Sequence, residues 1–206
     1  MFGFLKELYR NKRYGPPIVV VSGLPRSGTS MMMKMLAAGG LEIVTDEIRT
    51  ADEDNPKGYF EFEQVKELDK GGDKGWMKDC RGKVVKIISF LLKHLPEDNF
   101  YKVIFMRRSF EELIASQNKM LTRRGEPTDE AGDERMIQLY EKHLRKVDVM
   151  LADRSNFESL QVSYKAALDE PRAHAERVSS FLRRKLDLDG MAAVVDPELY
   201  RNRKAQ

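Results

Sequence analysis

The chain has 206 residues, with 36 Lys and Arg set against 33 Asp and Glu, a formal net charge of +3 and a 41% apolar share. That length suits one sizeable domain with a real core spanning 1–206, and the mild basic bias fits small anionic ligands while arguing against nucleic acid as the main partner. The single cysteine, Cys80, excludes an internal disulfide and suits a reducing, cytoplasmic compartment.

No apolar run approaches the roughly 20 residues needed to span a bilayer, so no transmembrane segment is expected. The first ten residues, Met1 to Arg10, are too short and too charged for a signal-peptide core. They read instead as a small amphipathic helix. Gly15-Pro16-Pro17 precedes a strand over Ile18–Ser22, and a helix follows from Thr29 to Ala38, stopped by Gly39-Gly40. Its methionines, Met31, Met32, Met33 and Met35, are expected to pack on a sheet. The stretch 42–63 is irregular and acidic, with a strong loop signal at Asp52–Gly58. A short helix over Gln64–Leu68 and a loop over Gly71–Lys78 come next.

Val84–Ile88 and Tyr101–Met106 read as further strands. Ser109 and Glu112 have capping-box spacing, so a helix begins at Ser109 and runs through Leu121. Thr122–Asp133 is a Gly-, Pro- and charge-rich loop. A long helix follows, with Met136, Tyr140, Leu144, Val147 and Leu151 on one stripe. Leu160–Val162 is a short strand and Pro171–Lys185 a helix with proline in its first turn. Strands alternating with helices predict an α/β domain with a mainly parallel central sheet.

Two stretches carry chemistry. In the first, Gly23 and Gly28 have the spacing of the phosphate-binding pattern G-x-x-x-x-G-K-[ST], but Thr29 stands where the lysine belongs and the cation is Arg26, inside the loop. A strand, a tight turn and a helix start present backbone N–H groups at the positive end of a helix dipole. In the second, Arg108 ends a strand and Ser116 lies eight residues on, in the next helix. Ser116 is seven residues beyond Ser109, about two helical turns, and so shares a face with the cap. A guanidinium fork and a hydroxyl together suit a phosphate. Arg107 is adjacent and is the alternative to Arg108.

The run Gly23-Leu24-Pro25-Arg26-Ser27-Gly28-Thr29-Ser30 resembles the phosphosulfate loop of sulfotransferases that use 3′-phosphoadenosine 5′-phosphosulfate (PAPS), in the Pro-Arg-Ser-Gly-Thr form of the tyrosylprotein and many bacterial members. Arg108 and Ser116 resemble the pair that holds the donor's 3′-phosphate in that family. The likeness extends to Val162–Lys165, Pro171 and Phe181-Leu182, and to the basic stretch Arg201–Lys204, where members contribute contacts to the nucleotide. It implies a P-loop-like three-layer α/β/α fold. It also implies transfer of a sulfuryl group from PAPS to a hydroxyl or amine acceptor of a small molecule or other substrate, with 3′-phosphoadenosine 5′-phosphate (PAP) as product and no metal.

On that resemblance Pro25, Arg26, Ser27, Gly28, Thr29, Ser30, Arg108 and Ser116 bind the donor, while Arg26 and Lys86 neutralise charge at the transferring group. Many cytosolic members carry a catalytic histidine two positions after the lysine on the strand, where this chain has Ile88. His94, His143 and His174 fall in helical or loop contexts unlike it. The tyrosylprotein type uses a glutamate after the first helix. Glu47, in Asp46-Glu47-Ile48-Arg49, is its counterpart here and the leading general base, with Glu61 as competitor. Two other classes compete with this reading: a binding protein that holds PAP or PAPS without turnover, and a P-loop nucleotide kinase. The kinase needs the missing lysine and an aspartate for magnesium at a strand end. The sequence names neither the acceptor nor the oligomeric state.

Overall fold

The computed structural model describes residues 2–46, 60–123, 125–127 and 130–196. Its centre is a four-stranded sheet of β1 (Ile18–Gly23), β2 (Val84–Lys86), β3 (Tyr101–Arg107) and β4 (Phe157–Ser163), in the order β2-β1-β3-β4. Every neighbouring pair is parallel. β1 is buried at all six positions, as expected of a central strand covered on both faces.

The side-chain alternation of the strands divides the core in two. Val19, Val21, Ile104, Met106 and Val162 face one side, against α2 (Thr29–Ala38), α6 (Pro171–Leu182) and α7 (Leu188–Ala193). Met32, Met33, Met35 and Leu36 of α2 lie fully buried in this layer. Ile18, Val20, Val85, Val103 and Phe105 face the other side, against Val147 and Leu151 of α4 (Glu130–Asp153) and the 3-10 turns between 63 and 94. The fold is therefore three-layered α/β/α, the class expected from the sequence.

Element bounds differ from the sequence reading where a local device intervenes. α2 has the expected limits. β2 ends at Lys86 rather than Ile88, because after Ile87 donates to the Val21 carbonyl (3.0 Å) the backbone turns into the 3-10 turn Ser89–His94. β4 is longer than Leu160–Val162, pairing with β3 along its full length. α6 stops at Leu182, where Arg183 takes a left-handed conformation (φ 54°). The Thr122–Asp133 stretch is helical at both ends, since α3 (Phe110–Arg123) runs into it from one side and α4 from the other. A 3-10 turn over Gly75–Cys80 occupies the expected loop. Two short helices, α5 (Tyr164–Asp169) and α7, were not foreseen.

The N-terminal α1 (Phe2–Tyr14) docks through Arg10, which pairs with Glu158 of β4 and lies 4.8 Å from the centre of the Phe100 ring. At the same, amino edge of the sheet, Lys102 of β3 is fully buried and donates to the carbonyls of Phe181 (3.1 Å) and Leu182 (3.4 Å). It caps the negative end of α6. Among the described residues no helix is long and apolar enough to cross a membrane.

Cys80 is buried, and desolvation, with Asp79 adding to it, pushes its thiol up to about 11. The thiolate is the reactive form. We therefore expect Cys80 to resist iodoacetamide at pH 8 in the folded protein and to alkylate fully in urea, as read by mass spectrometry.

Candidate functional site

β1 delivers the chain to the carboxyl edge of the sheet, the edge at which open α/β sheets bind ligands. Leu24, the first residue of the loop, is buried against Leu113 and Ile114 of α3 and Tyr140 of α4. The loop then closes with Ser27 N donating to the Leu24 carbonyl at 3.2 Å. Arg26 (φ 68°) and Gly28 (φ 96°) are both left-handed. Glycine is required at 28 for a second reason, because a Cβ there would lie 2.2 Å from the Tyr164 ring. Gly23 is equally constrained, since a Cβ would come within 2.3 Å of Ser27 Oγ and 2.8 Å of the Met106 carbonyl.

These contacts draw the loop tight across the start of α2. Gly28 caps that helix with no side-chain hydrogen bond, so its first N–H groups have no side-chain partner there. Ser22 Oγ and Ser27 Oγ are buried without a hydrogen-bond partner. A buried hydroxyl normally finds one.

The structure brings the two sequence motifs into contact. Arg26 Nε donates to Ser116 Oγ at 3.1 Å, although 90 residues separate them. Arg108 takes a different place from Arg26. Its Nε donates to Glu112 Oε2 (3.0 Å), its Nη1 donates to the Arg26 carbonyl (3.1 Å), and its guanidinium lies 4.6 Å from the centre of the Tyr164 ring. The Arg108 and Glu112 side chains are 7% and 10% exposed, so this is a buried ion pair directly under the loop. Arg107 turns to the opposite face, where it pairs with Asp148 of α4 and donates to Gln161 Oε1 at 3.0 Å. It therefore does not exchange roles with Arg108.

Ser109 caps α3, accepting from Glu112 N at 3.4 Å. This fixes the register that carries Ser116 to Arg26. Lys86, at the end of β2, donates to Ser30 Oγ in the first turn of α2 at 3.3 Å. Pro25 is exposed, and Thr29 is half-buried beside Ser30. Burial holds the Tyr164 phenol above its usual range, with the charge of Arg108 acting in the opposite direction.

Glu47 and Arg49 lie outside the described residues, as do Arg201–Lys204. The chain on either side of that gap is held together. Val44 N donates to the Val84 carbonyl (2.8 Å) beside β2, Thr45 Oγ1 donates to the Glu61 carbonyl (3.0 Å), and Glu63 N donates to Asp46 Oδ2 (2.6 Å). Glu61 is thus half-buried next to the point where the chain leaves β2. Among the described residues, no group of three His, Cys, Asp or Glu is placed to hold a metal ion.

Tyr164 and Glu112 are the site residues whose roles the sequence reading missed. Glu112 was visible as the glutamate of the capping box, three residues after Ser109, but its carboxylate serves Arg108. Tyr164 was visible only as the residue after a strand, with nothing to say that Gly28 leans on it.

No family model matches the chain, and no curated protein matches it either. Solved structures do. The sulfotransferase domain of the olefin synthase of Synechococcus PCC 7002 superposes with a TM-score of 0.54 at 19% identity, over 93% of this chain and 89% of that one. The fold is that of a sulfotransferase domain. The sulfotransferase domain of the curacin biosynthetic pathway (TM-score 0.49, 17% identity, 93% and 79% covered) and a sulfotransferase from Alicyclobacillus acidocaldarius (0.47, 13%, 82% and 81%) also overlap, at levels on which nothing further rests.

Two substitutions check the architecture of the loop. Gly28→Ala adds left-handed strain to a collision with Tyr164, and we expect a loss of about 2 kcal/mol or more in urea unfolding. Glu112→Ala strips a buried guanidinium of its counter-charge and is expected to cost about 3 kcal/mol by the same measurement.

Proposed function

We propose that the chain, acting as one domain over 1–206, transfers a sulfuryl group from PAPS to a hydroxyl or amine acceptor. The observation that carries this reading is the hydrogen bond from Arg26 to Ser116. It puts the loop resembling a phosphosulfate cradle and the helix resembling a 3′-phosphate holder within reach of one bisphosphorylated nucleotide. Two further features support an anion at this place. The start of α2 lacks a side-chain cap, and Ser27 carries an orphaned buried hydroxyl. Among the described residues no carboxylate pairs with Arg26.

When bound, PAPS supplies an activated sulfuryl group on a phosphate leaving group. The N–H groups of Gly28, Thr29 and Ser30, with the Thr29 and Ser30 hydroxyls, would hold its 5′ end; Pro25 and Ser27 shape the turn that presents them. Arg26 and Ser116 would grip a phosphate from the α3 side. Arg108 supports them from below by fixing the Arg26 carbonyl. Lys86, already directed to Ser30, would balance negative charge that spreads toward the leaving oxygen. Such sites work by positioning and electrostatics, in which each group is fixed before the reaction. The resemblance offers Glu47, with Glu61 as competitor, for the proton of the acceptor; binding of the donor does not depend on that choice.

Binding is measurable without knowing the acceptor. We expect 3′,5′-ADP to raise the melting temperature, since a ligand of the folded state stabilises it by mass action. Arg26→Ala and Ser116→Ala should each weaken that binding by about tenfold to a hundredfold, the worth of a hydrogen bond to a charged group. Stabilisation by ATP with Mg²⁺ but not by 3′,5′-ADP would overturn the proposal in favour of a kinase. Binding of PAPS with no transfer to any hydroxyl or amine in an acceptor screen would reduce it to a binding protein.

A further inference from the structure

The same edge of the sheet holds a second polar pair that the reading above leaves unused. After Lys86 the chain passes through Ile87 and Ile88 to Ser89, whose Oγ lies 2.9 Å from Nε2 of His143 on α4. Ser89 is 2% exposed. The Phe90 ring is stacked on the imidazole, with centroids 3.9 Å apart and planes 14° from parallel. The ring of His143 is therefore fixed by a hydrogen bond at one nitrogen and an aromatic face on one side. Its Nδ1 has no hydrogen-bond partner among the described residues.

Contacts run from this pair to both halves of the candidate donor site. Tyr140, one turn before His143, packs on Leu24 of the loop and donates its hydroxyl to Gln117 Oε1 at 3.3 Å, next to Ser116. Phe90 touches the same Tyr140, with ring centroids 6.4 Å apart. From the other side, Ser89 follows Lys86 by three residues, and Lys86 reaches Ser30. Three exposed apolar side chains are neighbours in the chain: Ile88 and Phe90 flank Ser89, and Leu139 is one turn before His143 on α4, at 41%, 39% and 61% exposed.

We propose that His143 is the general base, receiving on Nδ1 the proton of an apolar alcohol or phenol seated against Ile88, Phe90 and Leu139. This rests on the sulfuryl-transfer reading and assigns to α4 a role that the resemblance gives to a strand histidine or to Glu47. Nδ1 takes the hydroxyl hydrogen while the acceptor oxygen bonds to the sulfur of the donor. The bond from that sulfur to the 5′-phosphate oxygen breaks, and its electron pair leaves on PAP. Ser89 is a positioning residue: in the tautomer in which its Oγ accepts from Nε2–H, the free lone pair is on Nδ1.

The groups that bear on the imidazole are Lys93 from the 3-10 turn, Lys146 from α4 and the neutral phenol of Tyr140. Burial foremost, then the two ammonium groups, lower the pKa of His143 from its ordinary value. The ring is thus unprotonated, and able to accept a proton, at neutral pH. A base of this kind gives a rate that climbs with pH and levels off once the ring is neutral. With the pKa depressed, the midpoint falls below the ordinary histidine value of about 6.5.

The test uses the full chain saturated with 3′,5′-ADP and titrated with 2-naphthol, followed by NMR of the imidazole, and then PAPS with 2-naphthol in a turnover assay. We expect the His143 ring signals to move with 2-naphthol. We also expect His143→Gln, which preserves a side-chain hydrogen bond to Ser89, to lower kcat by about a hundredfold or more and to remove the limb below pH 6.5. Ser89→Ala should lower kcat less, with KM unchanged. Ring signals that stay still, a His143→Gln rate equal to wild type, or loss of the rate in Glu47→Gln alone each overturn the proposal. Failure of the wild type to bind 3′,5′-ADP overturns the donor reading and the proposal with it. Binding and turnover that survive His143→Gln overturn the proposal alone.

Discussion

The guanidinium of Arg108 is the group on which the site depends. A charge taken out of water costs several kcal/mol unless its partners are well placed. Arg108 meets that demand with the Glu112 carboxylate, the carbonyl of Arg26 and the face of Tyr164. Those three partners belong to three elements: the first turn of α3, the loop after β1 and the first residue of α5. Satisfying one cation therefore fixes all three relative to one another. The carbonyl of Arg26 is pinned inward by Arg108, and its side chain runs to Ser116. The Arg26–Ser116 contact and the buried ion pair thus meet at one residue, the first through the side chain of Arg26 and the second through its carbonyl.

The two edges of the sheet are finished in opposite ways. At the amino edge the C-terminus of α6 is closed from within by Lys102, whose ammonium takes two of its carbonyls. At the carboxyl edge the N-terminus of α2 has no side-chain cap, and the nearby hydroxyl of Ser27 is unsatisfied. Helix ends buried in a protein are ordinarily closed in one manner or the other. The parallel sheet, which sets every strand in the same direction, collects the open end, the cations Arg26, Arg108 and Lys86, and the Ser89–His143 pair at a single edge.

Strand periodicity and turn chemistry made most of the fold legible in the sequence. β1, β3 and α2 stand close to their expected limits, since a continuous apolar run bounded by Gly and Pro, and a helix stopped by Gly39-Gly40, are local signals. α5 and α7 were not legible, because each is only six residues long and is held by tertiary contact. The spacing of Gly23, Arg26 and Gly28 and the capping box at Ser109 were readable, and with them the convergence of Arg26 and Ser116. The division of labour between Arg107 and Arg108 was not. It depends on strand alternation, which sends adjacent side chains to opposite faces of the sheet, and on acidic partners that lie 4 and 41 residues away. The pairing of His143 with Ser89 was likewise hidden, because it joins α4 to the 3-10 turn after β2 across 54 residues.

Tyr164 begins α5 directly after β4, an edge strand of the sheet, yet its ring is the wall against which Gly28 closes. The Gly23–Ser30 turn is thus supported by a part of the chain that enters the sheet last. A shortened fragment ending after β3, or a graft of the Gly23–Ser30 turn onto another scaffold, would keep every residue of the motif and lose the surface that shapes it. In this protein the motif is a property of the whole sheet, and its portability ends at the strand farthest from it in sequence.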